Sequence, residues 1–149
     1  MKLEEEIGQK EFKSDIQKML INILYTSNWL QYQLADNLKG YGITPQQFNI
    51  LRILRGQHPN PARMHLLQDR MLDKMSNASR LVERLRKKGL VVRKICRNDR
   101  RAVDVKITDA GLALLKELDT MENDWQSRFK KLEKKDINSL NTILDNLRN

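Results

Sequence analysis

Residues 75–111 read MSNASRLVERLRKKGLVVRKICRNDRRAVDVKITDAG, and the pattern changes period twice along the way. Ala78, Leu81, Val82 and Leu85 recur at helical spacing, which marks one face for a core. Asn77, Arg80, Arg84 and Lys87 recur at steps of three and four on a different, polar and basic face. Ser76 is a residue type that caps helix N-termini, and Gly89 is one that ends helices in the left-handed conformation. A helix is therefore expected over 76–88. The segments 91–96 and 102–107 are rich in β-branched residues and predict a two-stranded hairpin whose loop is 97–101. Thr108 and Asp109 then open another helix, the acid suiting the positive end of its dipole.

The charge is concentrated in the same place. Of 28 Lys and Arg and 19 Asp and Glu, residues 80–106 hold eleven basic residues against Glu83, Asp99 and Asp104. The remainder of the chain carries 17 basic and 16 acidic residues, so nearly the whole net charge of +9 sits in one window. A diffuse surplus would serve solubility, whereas a focused one creates a field directed at a polyanion.

Working outward, Phe12, Ile16, Leu20, Ile23, Leu30, Leu34 and Leu38 keep helical period over a span of roughly 40 Å, ended by Gly40 and Gly42. Thr44-Pro45-Gln46-Gln47 reads as a capping box with proline in the first helical position, opening a helix to Gly56. His58-Pro59-Asn60-Pro61 is a turn, and 65–72 is a short helix. Beyond Thr108, Leu112, Leu115, Leu118, Trp125, Phe129 and Leu132 form one stripe. Asp136 caps a last helix with Ile137, Leu140, Leu144 and Leu147 facing inward. The chain reads as one mainly α domain with a single β-hairpin.

The order short helix, turn, cationic helix, charged hairpin has a mechanical meaning. In a helix-turn-helix the second helix enters the DNA major groove and its leading residues meet base edges. A following hairpin reaches an adjacent minor groove, where arginine meets enhanced negative potential. Those residues resemble the winged helix-turn-helix of the MarR family of bacterial transcriptional regulators. The marks are Leu85, Gly89 and Leu90, then Asp99 and Arg101, then Ile107-Thr108 with Gly111. The resemblance implies a DNA-binding lobe at 44–108 and dimerisation helices at 10–40 and 109–149. It also implies a homodimeric repressor or activator, often relieved by a small anionic or phenolic effector. Carried over by position, Ser76, Asn77, Ser79 and Arg80 lead the recognition helix, Arg101 is the wing arginine, and Asp99 braces it. Segment 56–67 departs from the family pattern in lacking a Ser or Thr cap.

The expected DNA contacts are Ser76, Asn77, Ser79, Arg80, Arg84, Arg97, Arg100 and Arg101, with Asp99 orienting Arg101. Tyr25, Trp29, Tyr32 and Trp125 are core or interface residues on the simplest reading, and candidates for the wall of an effector pocket on the other. Cys96, at a strand end, is inert packing by default, although Lys94 and Arg97 nearby would favour its thiolate. His58 and His65 are too few for a metal site. No cofactor is expected, and no nucleophile–base pair or glycine-rich phosphate loop suggests an enzyme. The apolar run 19–25 is too short to span a bilayer, and 1–12 lacks a signal-peptide core, so a cytoplasmic protein is expected. The competing readings are a helical module whose basic hairpin binds an acidic protein or anionic membrane, and a non-specific architectural DNA binder.

Overall fold

A computed structural model describes residues 2–95 and 103–149. Its elements run α1 (Leu3–Ile7), α2 (Asp15–Lys39), α3 (Pro45–Gln57), β1 (Ala62–Arg63), α4 (Met64–Arg70), α5 (Ala78–Lys87), β2 (Val91–Ile95), β3 (Val103–Ile107), α6 (Asp109–Ser127) and α7 (Lys134–Asn146).

The core is built by α3, α4, α5 and the small sheet, closed by the end of α2 and the start of α6. Leu38, Ile50, Leu51, Leu54, Leu67, Val82, Leu85, Val105, Leu115 and Leu118 are sealed in it. The expected capping box at α3 is present: Thr44 Oγ1 accepts from the Gln47 N–H at 3.2 Å and Gln47 Oε1 accepts from the Thr44 N–H at 3.0 Å. Gln47 is buried by this reciprocal arrangement, which leaves its amide oxygen partnered.

Four expectations are corrected and one element is added. The sheet has three strands in the order β1-β3-β2, because Ala62 and Arg63 add a short antiparallel edge to β3 opposite Val105 and Asp104. That edge also explains the missing cap on the next helix: the chain enters α4 from Arg63 in extended backbone, with no side-chain cap, and the helix occupies Met64–Arg70 instead of 65–72. The N-cap of α5 is Asn77, whose Oδ1 accepts from the Arg80 N–H at 3.0 Å, while Ser76 turns its hydroxyl to Asp73 Oδ2 at 2.6 Å. The last helix begins after Glu133, so Asp136 sits in its first turn and does not cap it; Leu140 on its apolar stripe is 54% exposed, so the stripe faces away from the chain's own core. Finally, α1 precedes the long helix, held to α2 by an ion pair of Glu4 with Lys18 and by the Tyr25 hydroxyl donating to Glu6 at 2.9 Å.

The base of the hairpin is a tight knot. Gly89 ends α5 at φ 72°, and the N–H groups of Gly89 and Leu90 bond back to the Arg86 and Leu85 carbonyls, a Schellman closure. Thr108 caps α6 by accepting from the Gly111 N–H at 3.1 Å, and its hydroxyl donates to the Gly89 carbonyl at 2.8 Å. A Cβ on Gly111 would lie 2.4 Å from the Leu90 carbonyl oxygen and 2.7 Å from Ile107 Cγ1, so only glycine lets the helix start approach so closely.

Candidate nucleic-acid interface

The turn between α4 and α5 is set by one side chain that periodicity does not reveal. Gln68 on α4 donates from Nε2 to the Ser76 carbonyl at 2.9 Å and accepts at Oε1 from the Ala78 N–H at 3.1 Å. It thereby satisfies one of the orphan donors at the start of α5 and holds the two helices at a fixed angle. Asp73 organises the turn itself, accepting from the Met75 N–H at 3.0 Å and from Ser76. These bonds, the Ser76 hydroxyl first, hold its carboxyl below the usual carboxylate range. Asn49 on α3 accepts from the Leu72 N–H at 2.9 Å and ties the turn to the core. The local spacing Asp73-x-x-Ser76 is a signal that sequence reading could have used; the partners of Gln68 and Asn49 are not.

Helix α5 then divides as its sequence pattern implies. Ala78, Val82 and Leu85 are buried, while Asn77, Ser79, Arg80 and Arg84 are exposed. Asn77 uses its side-chain carbonyl oxygen as a cap and remains exposed. Glu83 does not pair with Arg84. It forms a two-point bond with Arg86, Nε at 3.0 Å and Nη2 at 2.9 Å. Arg86 holds the Glu83 carboxyl below its usual range against partial desolvation, with the fields of Lys87 and Arg93 acting the same way. Lys88 donates to the Gly42 carbonyl. Among the described residues Arg80 and Arg84 form no ion pair, so two guanidinium groups stand on the outward face without a described carboxylate to neutralise them.

The hairpin stem adds Arg93, Lys94 and Lys106, all exposed and absent from the expected contacts. Lys94 lies opposite Asp104 across β2 and β3, and Val92 opposite Lys106. Arg97, Asp99, Arg100 and Arg101, together with Cys96, lie outside the described residues.

The four aromatic candidates are dispersed. Trp29 is 42% and Tyr32 67% exposed on α2, Tyr25 is engaged with Glu6, and Trp125 packs edge-on against Phe129 with centroids 5.3 Å apart. Two clefts lie elsewhere on α2. One of about 530 Å³ is lined by Gln31 and Leu34 of α2, Gln46 and Asn49 of α3, and Met71 and Leu72 of the turn. The other, about 700 Å³, runs between Met19, Ile23 and Leu30 of α2 and Leu140, Ile143 and Leu144 of α7. Neither is lined by any of the four aromatics. His58 and His65 are exposed. Among the described residues no helix is long and apolar enough to cross a membrane.

The profile of the MarR family matches residues 41–102. Among solved structures, a MarR transcription factor from Planctomyces limnophilus is similar with a TM-score of 0.69 at 29% identity, over 91% of this chain and 98% of that one. A MarR-like transcription regulator from Bacillus cereus is similar with a TM-score of 0.79 at 22% identity, over 90% and 96%. A MarR family transcriptional regulator from Streptomyces coelicolor, solved in complex with DNA, gives 0.77 at 23% identity, over 93% and 89%. No curated protein sequence matches the chain. The helix-turn-helix segment thus matches the profile of the MarR family over residues 41–102, and the chain as a whole is similar in fold to winged helix-turn-helix transcriptional regulators of that family.

Proposed function

We propose that this DNA-binding regulator is a homodimeric repressor that reads a pseudo-palindromic operator. Residues 76–88 enter the major groove, and residues 97–101 carry Arg97, Arg100 and Arg101 to the adjacent minor groove, with Asp99 orienting Arg101. One observation carries this reading: α5 is sealed on its apolar side and offers Ser79, Arg80 and Arg84 on the other. An operator-bound dimer represses by excluding other proteins from the same duplex.

The homodimer is supported by the uncovered apolar side chains of α2 and α7, among them Ile16, Leu20, Leu24, Leu140 and Ile143. Large apolar side chains left uncovered along two helices favour a protein interface there. A small anionic or phenolic effector would act from the cleft between α2, α3 and the turn, because its walls belong both to the long helix and to the DNA-reading lobe. An effector that binds one relative placement of those walls more tightly shifts operator affinity by that difference. Tyr25, Trp29, Tyr32 and Trp125 serve the interface on this reading. No catalytic step is proposed.

The test is fluorescence anisotropy of the full chain on a duplex selected from a random-sequence pool and on a scrambled duplex, across a salt series. Log affinity is expected to fall linearly with log salt on both, with a preference of about a thousandfold or more for the selected duplex. Equal affinity for both duplexes would leave an architectural binder. Binding to anionic vesicles without duplex binding would leave a membrane or acidic-surface module.

A further inference from the structure

Two ion pairs connect the DNA-reading lobe to the helix that leaves it. On α3, Arg52 Nη1 lies 2.7 Å from Glu122 Oε1 of α6, and Arg55 Nη1 donates to both oxygens of Asp119 at 2.8 and 2.9 Å. The residues are three apart on each helix and pair in opposite order, so the two bridges occupy successive turns of an antiparallel contact. Arg52 is further steadied over the Phe48 ring, its guanidinium carbon 5.6 Å from the centroid.

Their position matters more than their strength. Leu115 and Leu118 are the last fully buried side chains of α6, and no residue of α7 is buried. The bridges therefore sit where α6 departs from the lobe, one turn before its free portion. The apolar contacts that attach α6 are non-directional and tolerate small rotations. Charge-assisted hydrogen bonds depend on angle and select one orientation. Both bridges are partly solvated, which makes them weak as sources of stability and leaves direction as their main contribution.

We propose that Arg52–Glu122 and Arg55–Asp119 are a positioning clamp that fixes the angle between the DNA-reading lobe and the dimerisation arm, and so the half-site spacing the dimer accepts. This rests on the dimeric reading above. The clamp touches no DNA. It acts through the placement of α5, and neutralising it releases the spacing without changing which bases each half-site prefers.

The experiment selects duplexes from a random-sequence pool with three full-length proteins: wild type, the neutralised variant Asp119→Asn/Glu122→Gln, and the exchanged variant Arg52→Glu/Glu122→Arg with Arg55→Asp/Asp119→Arg. Wild type is expected to enrich an inverted repeat at one spacing, disfavouring a one-base-pair change by about tenfold or more. The neutralised variant is expected to enrich the same half-site with that discrimination reduced to about threefold or less, and the exchanged variant to restore it. An unchanged spacing preference in the neutralised variant would overturn the clamp and leave the proposed function standing. A loosened preference that the exchange fails to restore would also overturn it. A wild-type pool with no inverted repeat would bring down the dimeric reading and the clamp together.

Discussion

Helices α3 and α7 are both 13 residues long and both amphipathic, yet α3 buries six side chains and α7 none. The difference lies in what each apolar stripe meets. That of α3 meets the sheet, α5, the end of α2 and the start of α6, whereas that of α7, among the described residues, borders a cleft shared with α2. Helical periodicity states that a face needs cover; it does not state who provides it. In this protein α3 lies in a core closed within the chain, whereas the apolar stripe of α7 is left uncovered by the described residues.

Truncating the two faces is the most direct way to break that contrast. Leu51→Ala, in the sealed core, is expected to cost about 2–5 kcal/mol of folding stability in denaturant melts, whatever the protein concentration. Gly111→Ala is expected to cost roughly 1–3 kcal/mol, because the new methyl group meets a backbone carbonyl that the Thr108 knot prevents from moving. Leu140→Ala, on α7, is expected to leave folding within about 0.5 kcal/mol while weakening self-association by about tenfold in sedimentation equilibrium. Equal folding losses at Leu51 and Leu140 would erase the distinction between lobe and arm. The smallest effect concerns acidity. The Asp73 carboxyl is held below its usual range, so its contribution is fully present above that range and is lost as pH falls through the lowered value. Asp73→Asn is expected to flatten the acid limb of thermal stability below about pH 4, and an unchanged limb would remove Asp73 from the account of the turn.

Legibility followed the sequence separation of the partners. Thr44 with Gln47, and Thr108 with Gly111, bond within three residues, and both helix starts were readable from residue type and spacing. The two faces of α5 were readable for the same reason. The cap of α5 shifted by one residue because Ser76, a good cap by type, is claimed by Asp73 behind it, and Asn77 is equally suited. Strand β1 left no trace, since two residues show no alternation and exist as a strand only by pairing with distant β3. Gln68, Arg52 and Arg55 escaped notice likewise: as residue types they belong on any polar helix face, and their partners lie on other elements. The resemblance to MarR proteins supplied the expectation of dimerisation arms and of the roles of Asp99 and Arg101, which no local pattern specifies; Asp99 and Arg101 lie outside the described residues.

The closure at Gly89, Leu90, Thr108 and Gly111 gives the hairpin stem a socket. With both strands anchored there, the root of the stem is held by bonds that do not involve the chain between Ile95 and Val103. One scaffold can thus tolerate changes of length and composition beyond the stem without renegotiating how the body holds together.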